Sequence, residues 1–248
     1  MDKMIHINLK AMQGIMNRQT AIANNMANAD TTGFRAEIVN ARALYVQGDG
    51  LASRASTSEA VVGADMHGGT VETTGGELDI ALNGDALLGV QAMDGAEAYT
   101  RRGDLMVNES GLLTTGDGFP VLGQGGPITL PPADKISISG NGTISIVPRG
   151  GDANQPPVEV GKLKLVSPQG SEIKKGLDGL FRVPGDGALP EDPDATVTTG
   201  ALEGSNVNMT QALVDMIEAS RAWETQVKML TTAQEMDDGG ASIMRMPG

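Results

Sequence analysis

The sequence contains no cysteine, which excludes disulfide bonds, thiolate catalysis and zinc sites built on cysteine. Aromatic side chains are also scarce, with three Phe, two Tyr and one Trp in 248 residues. So few rings disfavour a core built on large aromatic side chains, and they leave little surface on which bases or sugars could stack. Recognition through thiols or stacked rings is therefore not expected.

Positive charge and long apolar runs are in short supply as well. Eighteen Lys and Arg face 31 Asp and Glu, for a net charge of −13, which repels phosphate backbones and anionic lipid surfaces. No apolar run approaches the roughly 20 residues of a membrane span. Polar residues such as Asn8, Lys10 and Asn17 interrupt the segment where a secretory signal would need an apolar stretch. We expect no nucleic-acid partner, no membrane insertion and no cleaved signal peptide.

Glycine and proline are unevenly distributed along the chain. Thirty of the 34 glycines lie between Gly33 and Gly204, and eleven of the 12 prolines lie between Pro120 and Pro193. Most of the acidity lies in the same region, since residues 65–200 carry a net charge of −10. The pattern indicates a turn-rich middle between two ends that permit helices.

Both ends carry residues at alternating steps of four and three, the heptad spacing of helices that pack on a partner. A three-heptad helix with one apolar stripe is marginal alone in water, so we expect a coiled-coil-like layer formed on assembly. Two ordinary core helices of one globular domain are the alternative. We call these two sets the terminal seams: Ile5, Leu9, Met12, Met16, Gln19, Ala23 and Met26 at one end, and Met209, Leu213, Met216, Ser220, Trp223, Val227 and Leu230 at the other.

Polar residues and glycine mark the ends of these helices. Ser205 or Asn208 can cap the start of the second helix, and Asn208 with Gln211 has the spacing of a capping box. Gly33, following Asn28 and the Asp30–Thr32 stretch, is the expected left-handed cap of the first.

The middle predicts short strands and tight turns. Two runs of strict alternation, 136–139 and 143–147, flank a Gly-Asn-Gly loop and predict a β-hairpin. The predicted fold class is mixed α and β, with two terminal helices flanking a mainly-β middle domain of short strands and hairpins. The predicted boundaries are 1–33 for the first helix, 34–70 for an extended connector, 71–200 for the β domain and 201–248 for the second helix.

Catalytic and metal-binding patterns are absent from the sequence. His6 and His67 stand far apart, without the spacing of metal ligands. The acidic stretch 191–194 does not match a calcium loop and is interpreted as a solvated loop. We therefore predict no catalytic, cofactor or metal residues and no enzymatic activity. A periplasmic sugar-binding or hydrolytic β protein that uses the acidic middle stays as an alternative of a different class.

Several motifs resemble those of one known family. The stretch Ala-Asn-Asn-Met-Ala-Asn-Ala-Asp-Thr-Thr-Gly-Phe-Arg at 23–35 is similar to the N-terminal signature of flagellar rod and hook proteins. Residues 202–209 and 221–228 resemble the C-terminal signature, and 78–85, 99–101 and 111–123 resemble its middle motifs. Trp223 stands where the family usually has Tyr, and Ala86-Leu87-Leu88 replaces an expected Gly-Phe-Phe-like run.

The resemblance implies an axial structural subunit without enzymatic activity or cofactor. It implies passage through the flagellar type III export apparatus without cleavage, a place in the basal-body rod within the periplasmic space, and contacts with its own copies and other rod proteins. A proximal rod member is the most similar, and a distal rod or hook-type member is the alternative. Beside the seams, it implies assembly roles for Asn24, Asn25, Asn28, Gly33, Phe34, Ser205, Asn206 and Asn208.

Overall fold

The computed structural model describes residues 2–45, 55–149, 156–185 and 187–244. They divide into two compact units. Unit 1 comprises Met1–Ala27, Glu37–Gly63 and Asn208–Gly248, and unit 2 comprises Asn28–Ala36 and Ala64–Val207. Two terminal helices flanking a mostly β middle region are therefore confirmed. The boundaries at 33, 70 and 200 stay predictions.

Unit 1 contains both long helices. Helix α1 spans Asp2–Ala27, and helix α2 spans Met209–Met244. The two helices pack against each other. Strands β1 (Glu37–Tyr45) and β2 (Ala55–Ala64) pair as a two-stranded sheet, and β1 packs on α1. The segment interpreted from its composition as an extended connector thus contains two strands. The hydrophobic periodicity of this segment is too weak to indicate these strands.

Unit 2 consists of short strands joined by tight turns, as the spacing of glycine and proline predicts. The strands are β3 (Val71–Thr73), β4 (Ile80–Leu82), β5 (Leu87–Gln91), β6 (Glu97–Thr100), β7 (Leu105–Val107), β8 (Leu113–Thr115), β9 (Leu122–Gly123), β10 (Gly126–Pro127), β11 (Ala133–Ile138), β12 (Thr143–Pro148), β13 (Val158–Lys162), β14 (Leu165–Val166), β15 (Lys174–Lys175), β16 (Phe181–Arg182), β17 (Val197–Thr199) and β18 (Ala201–Glu203).

Five of these strands form the largest sheet, in the order β14-β5-β6-β16-β15. A three-stranded sheet has the order β11-β12-β13. The pairs β3 with β18 and β4 with β17 are antiparallel and join the beginning of unit 2 to its end. The predicted hairpin is confirmed, because β11 and β12 pair with Ile136 opposite Ile146 and Ile138 opposite Ile144.

The strands β5 and β6 of the five-stranded sheet are buried on both faces. On β5, Leu88 and Val90 belong to the main apolar core, whereas Leu87 joins a second cluster with Tyr99 and Phe181. Successive side chains of a strand point to opposite faces, so two consecutive leucines serve two cores. The Leu87-Leu88 pair that replaces aromatic residues of the family pattern is thus fully buried.

Tyr99 ties the second core to a loop. Its hydroxyl donates to Glu97 Oε1 at 2.7 Å and accepts the Leu189 backbone N–H at 2.7 Å. Burial raises the pKa of Tyr99 to about 12, and the Glu97 carboxylate also raises it. An unfolded tyrosine ionises near pH 10. The folded state therefore holds this proton more tightly than the unfolded state does.

Replacing Tyr99 with Phe should lower the free energy of unfolding by about 1–3 kcal/mol at neutral pH, because the buried Leu189 N–H loses its acceptor. In the wild type, stability should also fall as pH rises from about 10 to about 12, since the unfolded state releases the tyrosine proton first. Denaturant titrations of both proteins across this pH range measure the difference. If Tyr99→Phe lost as much stability as the wild type over this pH range, the loss could not be assigned to ionisation of Tyr99.

Candidate assembly surface

Helix α2 turns a stripe of alternating small and large residues inward. Most of its buried and half-buried positions follow steps of four and three, as a heptad seam does, but this stripe is displaced from the predicted one. Asp215 and Ser220 are also half-buried beside it. Alanines occupy three of its positions, which lets the helices approach closely. The stripe is Ala212, Met216, Ala219, Trp223, Gln226, Leu230 and Ala233. It shares Met216, Trp223 and Leu230 with the predicted seam.

Five other large members of the terminal seams are exposed. Leu9 and Met16 on α1, and Met209, Leu213 and Val227 on α2, keep 40–53% of their surface in contact with solvent. Further exposed apolar side chains stand nearby along α2, namely Val214, Ile217 and Met229. Met12 and Met26 are half-buried, and the side chain of Ile5 lies outside the described residues. The helices therefore carry apolar surface beyond what they bury in the chain itself.

The contacts between the two helices are partly polar. The Gln19 amide donates to Ser220 Oγ at 3.4 Å, and Arg18 lies 3.9 Å from the Glu218 carboxylate. Asn8 Nδ2 and Gln226 Oε1 are buried atoms without a hydrogen-bond partner. Buried polar atoms without partners cost stability. The pairing of α1 with α2 is therefore weakly specified.

Two asparagines fasten β1 to the end of α1. Asn25 accepts the Glu37 backbone N–H at 2.8 Å and donates to the Glu37 carbonyl at 3.0 Å, as a paired strand residue would. The neighbouring Asn24 amide donates to the Glu37 carboxylate at 2.6 Å. Within the chain these two amides therefore bond from helix to strand.

The start of α2 has half of the predicted capping box. Asn208 Oδ1 accepts the Gln211 backbone N–H at 3.1 Å, which confirms Asn208 as the N-cap. The Gln211 side chain does not complete the box but donates to Asp215 Oδ1 at 3.0 Å. Ser205 Oγ accepts the Val207 N–H in a local turn, so its expected capping role is corrected.

Helix α1 ends at Ala27, several residues before the predicted cap. Asn28 Oδ1 accepts the Thr31 hydroxyl at 3.1 Å in the turn that follows. Gly33 has φ +68°, and a Cβ there would come within 2.5 Å of the Arg101 backbone. Gly33 therefore does not cap α1. It permits a left-handed turn pressed against the chain at Arg101.

The segment after Gly33 is held by side chains from two other parts of unit 2. The Lys175 ammonium lies 3.6 Å from the centre of the Phe34 ring and donates to the Arg35 carbonyl at 2.9 Å. Asn206 Oδ1 accepts the Ala36 N–H at 2.7 Å. The Asn206 amide also donates to two carbonyl groups, Asp65 O at 2.9 Å and His67 O at 3.0 Å. Asn206 thus joins three segments of unit 2.

A buried ion triad lies beside this segment. Glu203 accepts Arg35 Nη2 on Oε1 at 2.7 Å, and Arg101 Nε and Nη2 on Oε2 at 2.9 and 2.5 Å. The three side chains are only 1–3% exposed. Glu203 Oε1 also accepts the Gly69 N–H at 2.9 Å. One carboxylate therefore draws together chain segments from both ends and the middle of unit 2.

The rest of Arg101 is satisfied by the backbone. Its Nη1 donates to the Gly84 and Ala86 carbonyls at 2.7 Å each, and Nη2 donates to Leu82 O at 2.8 Å. Burial lowers the pKa of Arg101, and the Glu203 carboxylate opposes that shift. Since arginine stays charged in proteins, the triad buries two positive charges against one negative.

The triad was not predicted from the sequence. Arg35, Arg101 and Glu203 all lie inside the stretches that carry the family resemblance, yet nothing in spacing or periodicity joins three residues so far apart. The one available signal was that each of the three charged residues lies at or near the end of a motif that resembles the family. A charge is rarely retained at a buried position unless it is paired.

Within the described ranges, no group of three or more His, Cys, Asp or Glu residues is placed to hold a metal ion. Neither helix, over the residues whose placement is described, combines the length and apolarity needed to cross a membrane.

Comparison with known proteins gives three family matches along the chain. Residues 8–35 match the family described as flagella basal body rod protein, 81–146 match the D1 domain of the flagellar hook protein FlgE/F/G, and 198–243 match the C-terminal part of flagellar basal body rod FlgEFG protein. The chain is 40% identical over 252 residues to the flagellar basal-body rod protein FlgF of Salmonella typhimurium, covering 99% of this chain and all of that protein. The chain belongs to the flagellar basal-body rod protein family.

Other rod proteins show the same similarity. FlgF of Escherichia coli is 41% identical over 95% of both chains, and FlgG of Bacillus subtilis is 30% identical over 94% of this chain and 95% of its own length. The FlgF proteins are thus more similar to this member of the rod family than the FlgG protein is. The predicted membership in the family is confirmed. The matched regions 8–35 and 198–243 include most of both long helices and the triad residues Arg35 and Glu203.

Replacing Glu203 with Gln should destabilise unit 2 of this rod protein by about 3–5 kcal/mol, because two buried guanidinium groups then lack a counter-ion. The matched control is Glu218→Gln, which removes an exposed ion pair of 3.9 Å and should change stability by at most about 1 kcal/mol. Urea denaturation followed by circular dichroism measures both. Equal, small losses would contradict a structural role for the triad.

Proposed function

We propose that this chain is a structural subunit of the bacterial flagellar basal-body rod, most similar to the proximal rod protein FlgF. The single observation that carries the proposal is the 40% identity over 99% of the chain to a protein named as that rod component. The exposed apolar residues on both terminal helices support it, since a subunit needs surface left over for its neighbours. The distal rod protein FlgG is the second candidate, favoured by 30% identity to one such protein.

The subunits assemble through the terminal seams. Burying the exposed Leu9, Met16, Met209, Leu213 and Val227 against neighbouring copies removes apolar surface from water, at roughly 25 cal/mol for each Å². The weakly specified α1–α2 contact leaves the helices able to adjust when a neighbour arrives. A coiled-coil-like layer formed in this way would make a continuous axial shaft, and such a shaft transmits torque.

The β unit takes no part in chemistry in this proposal. The chain is not an enzyme, it holds no cofactor, and its partners are its own copies and other rod proteins. The acidic middle keeps the subunits soluble before assembly, because like net charges repel.

Leu213→Asp should abolish incorporation into the rod while leaving the β unit folded. Leu213 is 47% exposed in the single chain, so the new charge costs little there but would be buried in the assembly. Thr225→Asp is the matched control, because it adds the same charge at an exposed polar position of α2. Complementation of a strain that lacks the gene, followed by basal-body purification, compares the two. Normal incorporation of Leu213→Asp would refute assembly through the seam.

The proposed route and place can be tested together. The flagellar type III apparatus would export the chain without cleavage into the periplasmic part of the basal body. Protein recovered from purified basal bodies should therefore keep its N-terminal residues when its intact mass is measured, and an epitope-tagged copy should be found in the proximal rod. A shortened N-terminus, or a location outside the rod, would contradict this part of the proposal.

A further inference from the structure

A rigid turn in unit 2 presents one leucine to solvent. Leu177 lies in the turn between β15 and β16 and is fully exposed. The Gly176 N–H donates to the Leu180 carbonyl at 2.8 Å, and Arg182 donates to both Asp178 oxygens at 2.9 and 2.6 Å. The Arg182 hydrogen bond lowers the pKa of Asp178, so the clamp is charged at neutral pH. The turn is thus ordered before it meets any partner.

The identity of this residue is not explained by the turn itself. Turns favour Gly, Asp, Asn, Pro and Ser, each for a conformational reason, and a leucine at the tip gains nothing locally. A preordered apolar side chain is, however, a good anchor for binding, because little conformational entropy is lost on contact. Isolated exposed leucines are common, so a complementary surface is needed before any role can be assigned.

Such a surface exists elsewhere on unit 2. An open cavity of about 360 Å³ lies between the residues that precede β4 and those that begin β11. Its apolar lining is formed by Leu78, Ala133 and Ile136, which are half-buried and pack on the main core beneath. The cavity has room for a leucine side chain and a floor of half-buried apolar side chains against which to bury it.

The charges around the two surfaces are complementary. The cavity is lined by the carboxylates of Glu77, Asp79 and Asp134 and by one ammonium group, that of Lys135. Arg149 also lies 3.7 Å from Asp134, and the net charge of the region stays negative when this arginine is included.

The hairpin that carries Leu177 has the opposite balance. Its cationic residues are Lys174, Lys175 and Arg182, and its anionic residues are Glu172 and Asp178. A basic hairpin approaching an acidic cavity is attracted, and the attraction weakens as salt is added.

We propose that Leu177 of one copy of this chain inserts into the cavity lined by Leu78, Ala133 and Ile136 of a neighbouring copy. The inference rests on the proposed function, because it assigns a second contact between rod subunits. The leucine and the cavity are different surfaces, so the contact is heterologous. Heterologous contacts that do not close into a ring build open helical filaments, whereas self-complementary patches give closed dimers. A filament is the geometry that a rod subunit requires.

The absence of cysteine makes the test clean, since any disulfide comes from introduced residues. Purified full-length Leu177→Cys and Ala133→Cys proteins are mixed at high concentration under mild oxidation. The matched control replaces Leu177→Cys with Met93→Cys. Met93 is 93% exposed in the β5–β6 turn, which the strand register places at the opposite end of the same sheet. The mixed Leu177–Ala133 disulfide should form at least about tenfold faster, the factor that about 1.4 kcal/mol of specific contact gives.

Charge reversal gives a second readout. Lys174→Glu in the leucine-bearing protein should slow cross-linking, and Glu77→Lys in the cavity-bearing protein should restore it. Equal rates with the Met93 control, or no response to charge reversal and salt, would mean random collision and would overturn the proposal.

The same pair of cysteines in one chain separates this contact from the rod function. A disulfide-linked ladder in purified basal bodies supports both. Incorporation without a ladder overturns the leucine contact and leaves the rod function intact. If wild-type protein is absent from basal bodies while the mixed disulfide still forms in solution, the rod function fails and the contact between copies stands.

Discussion

The β unit depends on one buried carboxylate. Glu203 pairs with the guanidinium groups of both Arg35 and Arg101, and it also accepts the Gly69 N–H. Buried ion groups stabilise a fold mainly when every member is paired, and losing one partner leaves a charge in an apolar interior. The strand pairs β3 with β18 and β4 with β17 also join the beginning of unit 2 to its end. The triad therefore links the same two parts of unit 2 that these strand pairs link.

The two units use different kinds of interaction. Unit 2 is specified by buried leucines on both faces of its sheet and by hydrogen-bonded turns. Unit 1 is specified less strongly, with alanines and polar contacts between its helices and larger apolar side chains left exposed. This contrast suits a subunit whose β unit folds within one chain and whose helices bury their remaining apolar surface only on contact with neighbouring subunits. Adaptable, methionine-containing helix surfaces are well suited to that purpose.

The fold class and the short-strand, turn-rich character of the middle region could be predicted from the sequence, because alternation and turn residues report local conformation. The hairpin of β11 and β12 and the N-cap at Asn208 follow that logic. The stripe that α2 buries within the single chain differs by one residue from the predicted seam at three positions, because alanine carries little hydrophobic signal and the larger Leu213 and Val227 lie on the exposed side. Whether the seam itself contacts neighbouring subunits stays a prediction. The hydrogen-bond partners of Asn25, Asn206 and the triad could not be predicted from the sequence. These partners are distant in the chain, and no local pattern encodes a long-range hydrogen bond.

The position of Glu203 near the end of the chain has a consequence for the order of folding. A chain that emerges from its N-terminus first exposes Arg35 and Arg101 long before their carboxylate is available. The last strands of unit 2, β17 and β18, arrive in the same late segment. The β unit can therefore be completed only after the chain has been made as far as Glu203. A truncated product lacks both the counter-ion and the closing strands, so it is left open to proteolysis.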